Sequence, residues 1–178
     1  MFIATVELID IDIEGAVREL LEGFGAQVIR YPIGQPLHLV EVLEAEVRAP
    51  YLLINAHGDE RGILLPELDA EIASNQPFDQ VLTPELVREY GRISGAVVVT
   101  TACASGSQSM ADAWLAAGAS AYVAPSGFPG GADAVMFASH LFWLMLCRLQ
   151  PLDQAFTAAS AIGGDAGMFR LFSPELAR

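Results

Sequence analysis

The chain has 178 residues, 53% of them apolar, which is enough length and oil for one domain with a sizeable core. Only 17% are charged, which excludes a disordered chain. The net charge is −13, with nine basic residues and no Lys/Arg cluster, which argues against a nucleic-acid-binding surface.

Residues 2–9 read as an apolar strand. They lack a basic leading region, so no signal peptide is expected. Residues 13–24 form an amphipathic helix, with Val17, Leu20, Leu21 and Phe24 on one face and Gly25 as its stop. Residues 26–31 are a second strand. Residues 36–47 are a second helix with Leu39, Val40 and Leu43 inward, and 51–56 a third strand. The stretch 58–82 is polar and punctuated by Gly and Pro. Its two short apolar pieces, 62–65 and 80–82, suggest a small β-hairpin beside the main sheet. Thr83 and Pro84 open a helix that ends near Gly91. Residues 95–101 are the central strand, 105–117 a helix, 119–124 a fifth strand and 125–131 a Gly/Pro loop. Residues 132–149 and 151–161 are helices, and the tail carries an apolar run at 168–172. The longest apolar run, 134–147, falls short of the ~20 residues that span a bilayer. Strand–helix alternation predicts an α/β protein, a three-layer α/β/α sandwich with a mostly parallel central sheet. No repeat or linker divides residues 1–178, so one domain is expected.

Two of the strands end in reactive side chains. One runs from Tyr51 to His57 and Gly58, the other from Ala96 to Cys103 and Gly106. In a parallel sheet the carboxyl ends of the strands are where ligands bind, so adjacent strands would bring an imidazole and a thiol to one edge. That pair can act as nucleophile and acid/base. Cys103 is expected before a helix N-terminus, whose dipole would favour the thiolate. Gly58 lets a backbone N–H approach a substrate carbonyl closely. Cys147 reads as a small buried core residue, and His38 and His140 as structural. Asp10, Asp12 and Glu14 read as a solvated turn and helix start rather than a metal site. The 127–131 loop lacks the Gly-Lys-Ser/Thr ending of a phosphate loop.

The pattern of an apolar block ending in His57-Gly58 and another ending in Ala102-Cys103 resembles the caspase-like (clan CD) cysteine peptidases. That group includes caspases, gingipains, clostripain, separase and CHAT domains. His57 lies 46 positions before Cys103, and in caspases that separation is about 50. The resemblance is closest to CHAT-like members. It rests on Ala56-His57-Gly58, the hairpin at 62–65, Leu82-Thr83, Cys103-Ala-Ser-Gly106, the Gly118-Ala119 strand start and Asp133 at the next helix, and covers roughly residues 49–160. It implies a caspase-like fold and a cysteine endopeptidase with a His57/Cys103 dyad. The N–H groups of Gly58 and Cys103 would bind the oxyanion, and Thr101 and Asp133 would face the substrate. It implies no metal and no organic cofactor. The expected partner is a protein or peptide substrate, with no nucleic acid and no membrane. A homo-oligomer is compatible with the sequence, and the location is expected to be cytoplasmic. Thr101 departs from relatives that carry an acid two positions before the cysteine. Asp133 would favour a basic side chain before the scissile bond.

Two other readings compete. One is a signalling or scaffold module that keeps the fold without catalysis. The other is a Cys-dependent amidase, for which Thr101 stands where the usual nucleophile elbow has Gly.

Overall fold

The computed structural model describes residues 1–8, 14–45 and 49–174. Asp10 and Asp12 lie outside the described residues. In chain order the elements are β1 (Phe2–Leu8), α1 (Glu14–Gly23), β2 (Gln27–Ile33), α2 (Pro36–Glu44), β3 (Tyr51–Asn55), β4 (His57–Asp59) and β5 (Gly62–Leu64). Next come α3 (Ala70–Ala73), β6 (Val81–Leu82), α4 (Pro84–Tyr90), β7 (Val97–Thr100), α5 (Gln108–Ala116), β8 (Ala121–Pro125), α6 (Gly131–Cys147) and α7 (Leu152–Ser160). A 3-10 helix at Gly164–Met168 leads into β9 (Phe169–Phe172).

Six strands form the main sheet in the order β2-β1-β3-β7-β8-β9. All neighbours are parallel except β9, which runs antiparallel to β8. The apolar run at 168–172 is therefore the sixth strand, an element the sequence pattern leaves unassigned. A separate antiparallel sheet, β4-β5-β6, forms the expected hairpin excursion.

Successive side chains of a strand point to opposite faces, and here both faces are covered. Ala4, Leu52, Ile54, Val98 and Tyr122 face one core, closed by α2, α4 and α5. Ile3, Leu53, Val99 and Val123 face the other, closed by α1, α6 and α7. Burial on both sides explains why β3 and β7 read as continuous apolar runs rather than alternating ones. Helix α6 buries Ala134, Phe137, Ala138, Leu141, Phe142, Leu144 and Met145, a helical spacing that fits its inward stripe. No helix among the described residues is long and apolar enough to cross a membrane. The result is an α/β/α sandwich with a mostly parallel central sheet, as the sequence implies.

Two helix ends depart from the sequence expectation. Helix α5 begins at Gln108 with Ser107 as its N-cap, whose hydroxyl accepts from the Met110 N–H. Cys103 is therefore not at a helix N-terminus. Cys147, expected in the core, is exposed at the end of α6, with its thiol 3.8 Å from the Phe24 carbonyl. α6 stops there because Leu149 takes a φ of 53° and Pro151 comes two residues later.

Phe137 is fully buried with its ring centroid 3.7 Å from that of Phe169. It ties α6 to the edge strand. Phe137→Ala is expected to cost about 3–5 kcal/mol of folding stability, measured by urea unfolding.

Candidate active site

The site begins with strand register. β3 and β7 are adjacent and parallel, with Leu53 opposite Val99 and Ile54 opposite Thr100. The ladder continues one step, the Thr101 N–H donating to the Ile54 carbonyl at 3.1 Å. Both motifs thus leave the sheet at the same carboxyl edge. Thr101 Oγ1 lies 3.4 Å from Asn55 Oδ1, and Asn55 is itself buried and opposite Glu7 of β1. Glu7, 2% exposed, is ion-paired with Arg30 on β2. Polar side chains on β2, β1 and β3 and just after β7 are thus linked in pairs that lead to the cysteine motif.

The chain turns sharply after β7. The Ala102 N–H donates to Thr100 Oγ1, and Ser105 Oγ donates to the Ala102 carbonyl at 2.7 Å. Ala104, just after Cys103, has a φ of 53°, a left-handed conformation that costs a non-glycine residue about 1 kcal/mol or more. It is held there by its N–H, which donates to the Gly127 carbonyl at 2.7 Å. The Gly106 N–H donates to the Pro125 carbonyl, and the buried Tyr122 hydroxyl donates to the Ser105 carbonyl at 3.1 Å. Burial pushes the Tyr122 phenol far up, so it remains a donor across the working pH range. The end of β8 thus fixes the Cys103 turn from behind.

His57 lies in β4, two residues beyond the end of β3, so it belongs to the hairpin rather than to the main strand. In the hairpin register it pairs with Leu64, and Gly58 pairs with Ile63. Gly58 faces the cysteine turn. A Cβ placed on it would fall 2.5 Å from the Cys103 carbonyl oxygen and 2.9 Å from Ala102 Cβ. Glycine is the one residue that permits this approach.

His57 is exposed and Cys103 half-buried. No hydrogen bond joins the Cys103 thiol to the His57 ring among the described residues. Such contacts commonly tighten only when substrate binds. Burial pushes the Cys103 thiol up, partly offset by its own backbone N–H. The dipole activation expected from sequence does not operate, because the dipole fades within the first turn and α5 starts five residues later.

Asp133 sits in the first turn of α6 with its carboxylate against the 163–165 turn. It accepts the Asp165 N–H at 3.4 Å, while Asp165 in turn accepts the Gly130 N–H at 2.9 Å. Its oxygens serve the link between α6 and the 3-10 helix. His38 is exposed, within 2.9 Å of Gln35 Nε2, and His140 packs on Trp143 with ring centroids 5.4 Å apart. Near His57, Asp59 and Arg61 pair at 2.7 Å, and the guanidinium holds the Asp59 carboxyl below its usual range. Sequence reasoning does not single out this pair, although its spacing across a tight turn is an available signal. No cluster of three metal-ligating side chains occurs among the described residues.

The geometry defines an α/β/α protein with a histidine motif and a cysteine motif on neighbouring strand ends. No family model and no curated protein matches the sequence. Solved structures do share the fold. Gingipain RgpB of Porphyromonas gingivalis, in the complex of its pro- and mature domains, has a TM-score of 0.63 and 13% identity over 96% of this chain and 46% of that one. Separase of Saccharomyces cerevisiae, in complex with securin, has a TM-score of 0.62 and 10% identity over 97% of this chain and 12% of that one. The chain therefore spans less than half the length of either.

Gly58→Ala is expected to destabilise the protein by about 1–3 kcal/mol through overpacking against the cysteine turn, measured by thermal or urea unfolding. Alkylation by iodoacetamide at pH 7, mapped by mass spectrometry, is expected to label exposed Cys147 before Cys103. The Cys103 rate should climb with pH into the alkaline range, because its raised pKa delays formation of the thiolate.

Proposed function

We propose that this chain is a cysteine endopeptidase of caspase-like, CHAT-like type, with His57 and Cys103 as its catalytic dyad. One observation carries the reading: Gly58 closes on the Ala102–Cys103 turn at a distance only glycine permits, with His57 next to it. In this mechanism the Cys103 proton passes to His57 and the sulfur bonds to the scissile carbonyl carbon. The C–N bond then breaks as His57 gives the proton to the leaving amine. Water, activated by His57, hydrolyses the thioester and restores the thiol. The N–H groups of Gly58 and Cys103 hold the oxyanion.

Thr101 and Asp133 are the positions proposed to face the substrate. Thr101, beside the cysteine turn, has the better support, since the carboxylate of Asp133 is already used inside the fold. The substrate is a protein or peptide, and two free cysteines fit a reducing compartment such as the cytoplasm.

A second reading, a non-catalytic scaffold, is favoured by the half-buried thiol, whose burial disfavours the thiolate, and by its lack of a hydrogen bond to His57 among the described residues. The two readings separate on turnover. For a peptidase, His57→Ala and Cys103→Ala should each lower kcat by roughly 10³-fold or more, with the double variant no worse, because the two groups act as one unit. The kcat/KM profile of the free enzyme should rise with pH through the thiol ionisation. Turnover retained in Cys103→Ala, or absent from the unaltered chain, removes the dyad.

A further inference from the structure

The small sheet has two faces. Gly58, Ile63 and Leu82 form one row across it, and Ile63 and Leu82 are fully buried in the core. Alternation sends the next row, His57, Leu64 and Val81, to the other face. A cavity of about 650 Å³ lies there, lined by these three together with Leu8, Leu68 and Phe78. Leu64, Leu68, Phe78 and Val81 are only partly buried, so they hold apolar surface that is not covered by the fold.

Its place relative to the dyad is set by strand order. Leu8 ends β1, the His57 motif comes after β3 and Cys103 after β7, in the sheet order β1-β3-β7. The cavity is bounded by His57 and by Leu8, and neither Cys103, Ala102 nor Gly58 lines it. It therefore lies on the side of His57 away from the sulfur. In the proposed mechanism the acyl half of the substrate stays on Cys103, while the amine half leaves from His57. Carboxylates at the cavity, Glu67 and Asp79, disfavour an acidic occupant. The one guanidinium lining it among the described residues, Arg61, is tied to Asp59.

We infer that this cavity is a subsite for a large apolar side chain on the amine side of the scissile bond. This rests on the proposed His57/Cys103 dyad. The subsite makes the residue after the bond, rather than only the one before it, a determinant of which polypeptides are cleaved.

The test uses the full chain and quenched fluorescent peptides that differ only in the residue after the cleaved bond. Leu, Phe or Met there should exceed Asp in kcat/KM by about tenfold or more, the scale a hydrophobic pocket provides. Leu68→Arg should move the ratio toward Asp, a gain that simple misfolding cannot produce. Equal rates for all residues with turnover intact would overturn the subsite and leave the dyad standing. The same peptides are bound to Cys103→Ala and followed by fluorescence anisotropy, which reads the cavity without turnover. Apolar preference in binding without hydrolysis by the unaltered chain would uphold the cavity and sink the peptidase reading. No preference in either assay would overturn the inference.

Discussion

The close approach of Gly58 to the Ala102–Cys103 turn is the constraint on which the site depends. It exists because β3 and β7 pair in parallel with Ile54 opposite Thr100, so that both chains leave the sheet at the same level. A slip of one residue would reverse which side chains face each core. If β7 slipped, Val99 would exchange faces with Thr100, against helices packed for the present set. The register is thus enforced by two hydrophobic cores at once, and the geometry of the strand ends inherits that rigidity.

The second constraint comes from behind. The cysteine turn is strained at Ala104 and is kept in place by Gly127, Pro125 and Tyr122, from within β8 or just after its end. Three neighbouring strands therefore contribute: β3 through the hairpin, β7 through the cysteine and β8 as a buttress. The Asp133 and Asp165 carboxylates continue the support by anchoring the loop that carries Gly127 to the 3-10 helix. Strain held by surrounding structure is a recurring property of functional turns.

The resting electrostatics arise from the same packing. A turn pressed against β8 and the hairpin leaves the thiol short of water, so the neutral form is favoured. His57, in contrast, stands on the open face of the hairpin beside a cavity. An exposed imidazole and a half-buried thiol thus stand in two different environments.

Much of the fold was legible in the sequence because burial on both faces of a parallel sheet writes uninterrupted apolar runs, as at 51–56 and 95–101, and helices between them write a 3.6-residue stripe. The two motifs were legible for the same reason: a reactive residue stands out where such a run stops. The chain path beyond each motif was not legible. The helix after Cys103 starts at Gln108 instead of 105 because Ala104 to Gly106 are held by bonds to β8 and the loop after it, far away in sequence. The exposure of Cys147 depends on where α6 ends against α1, which an apolar stretch does not reveal. The sixth strand needed β8 as a partner to be recognised. By itself, the sequence determined most of the strand and helix segments and which residues could be reactive, since these rest on local periodicity. Only the tertiary structure decided register, the state of the thiol and which side of His57 is open, since these rest on contacts between segments that are distant along the chain.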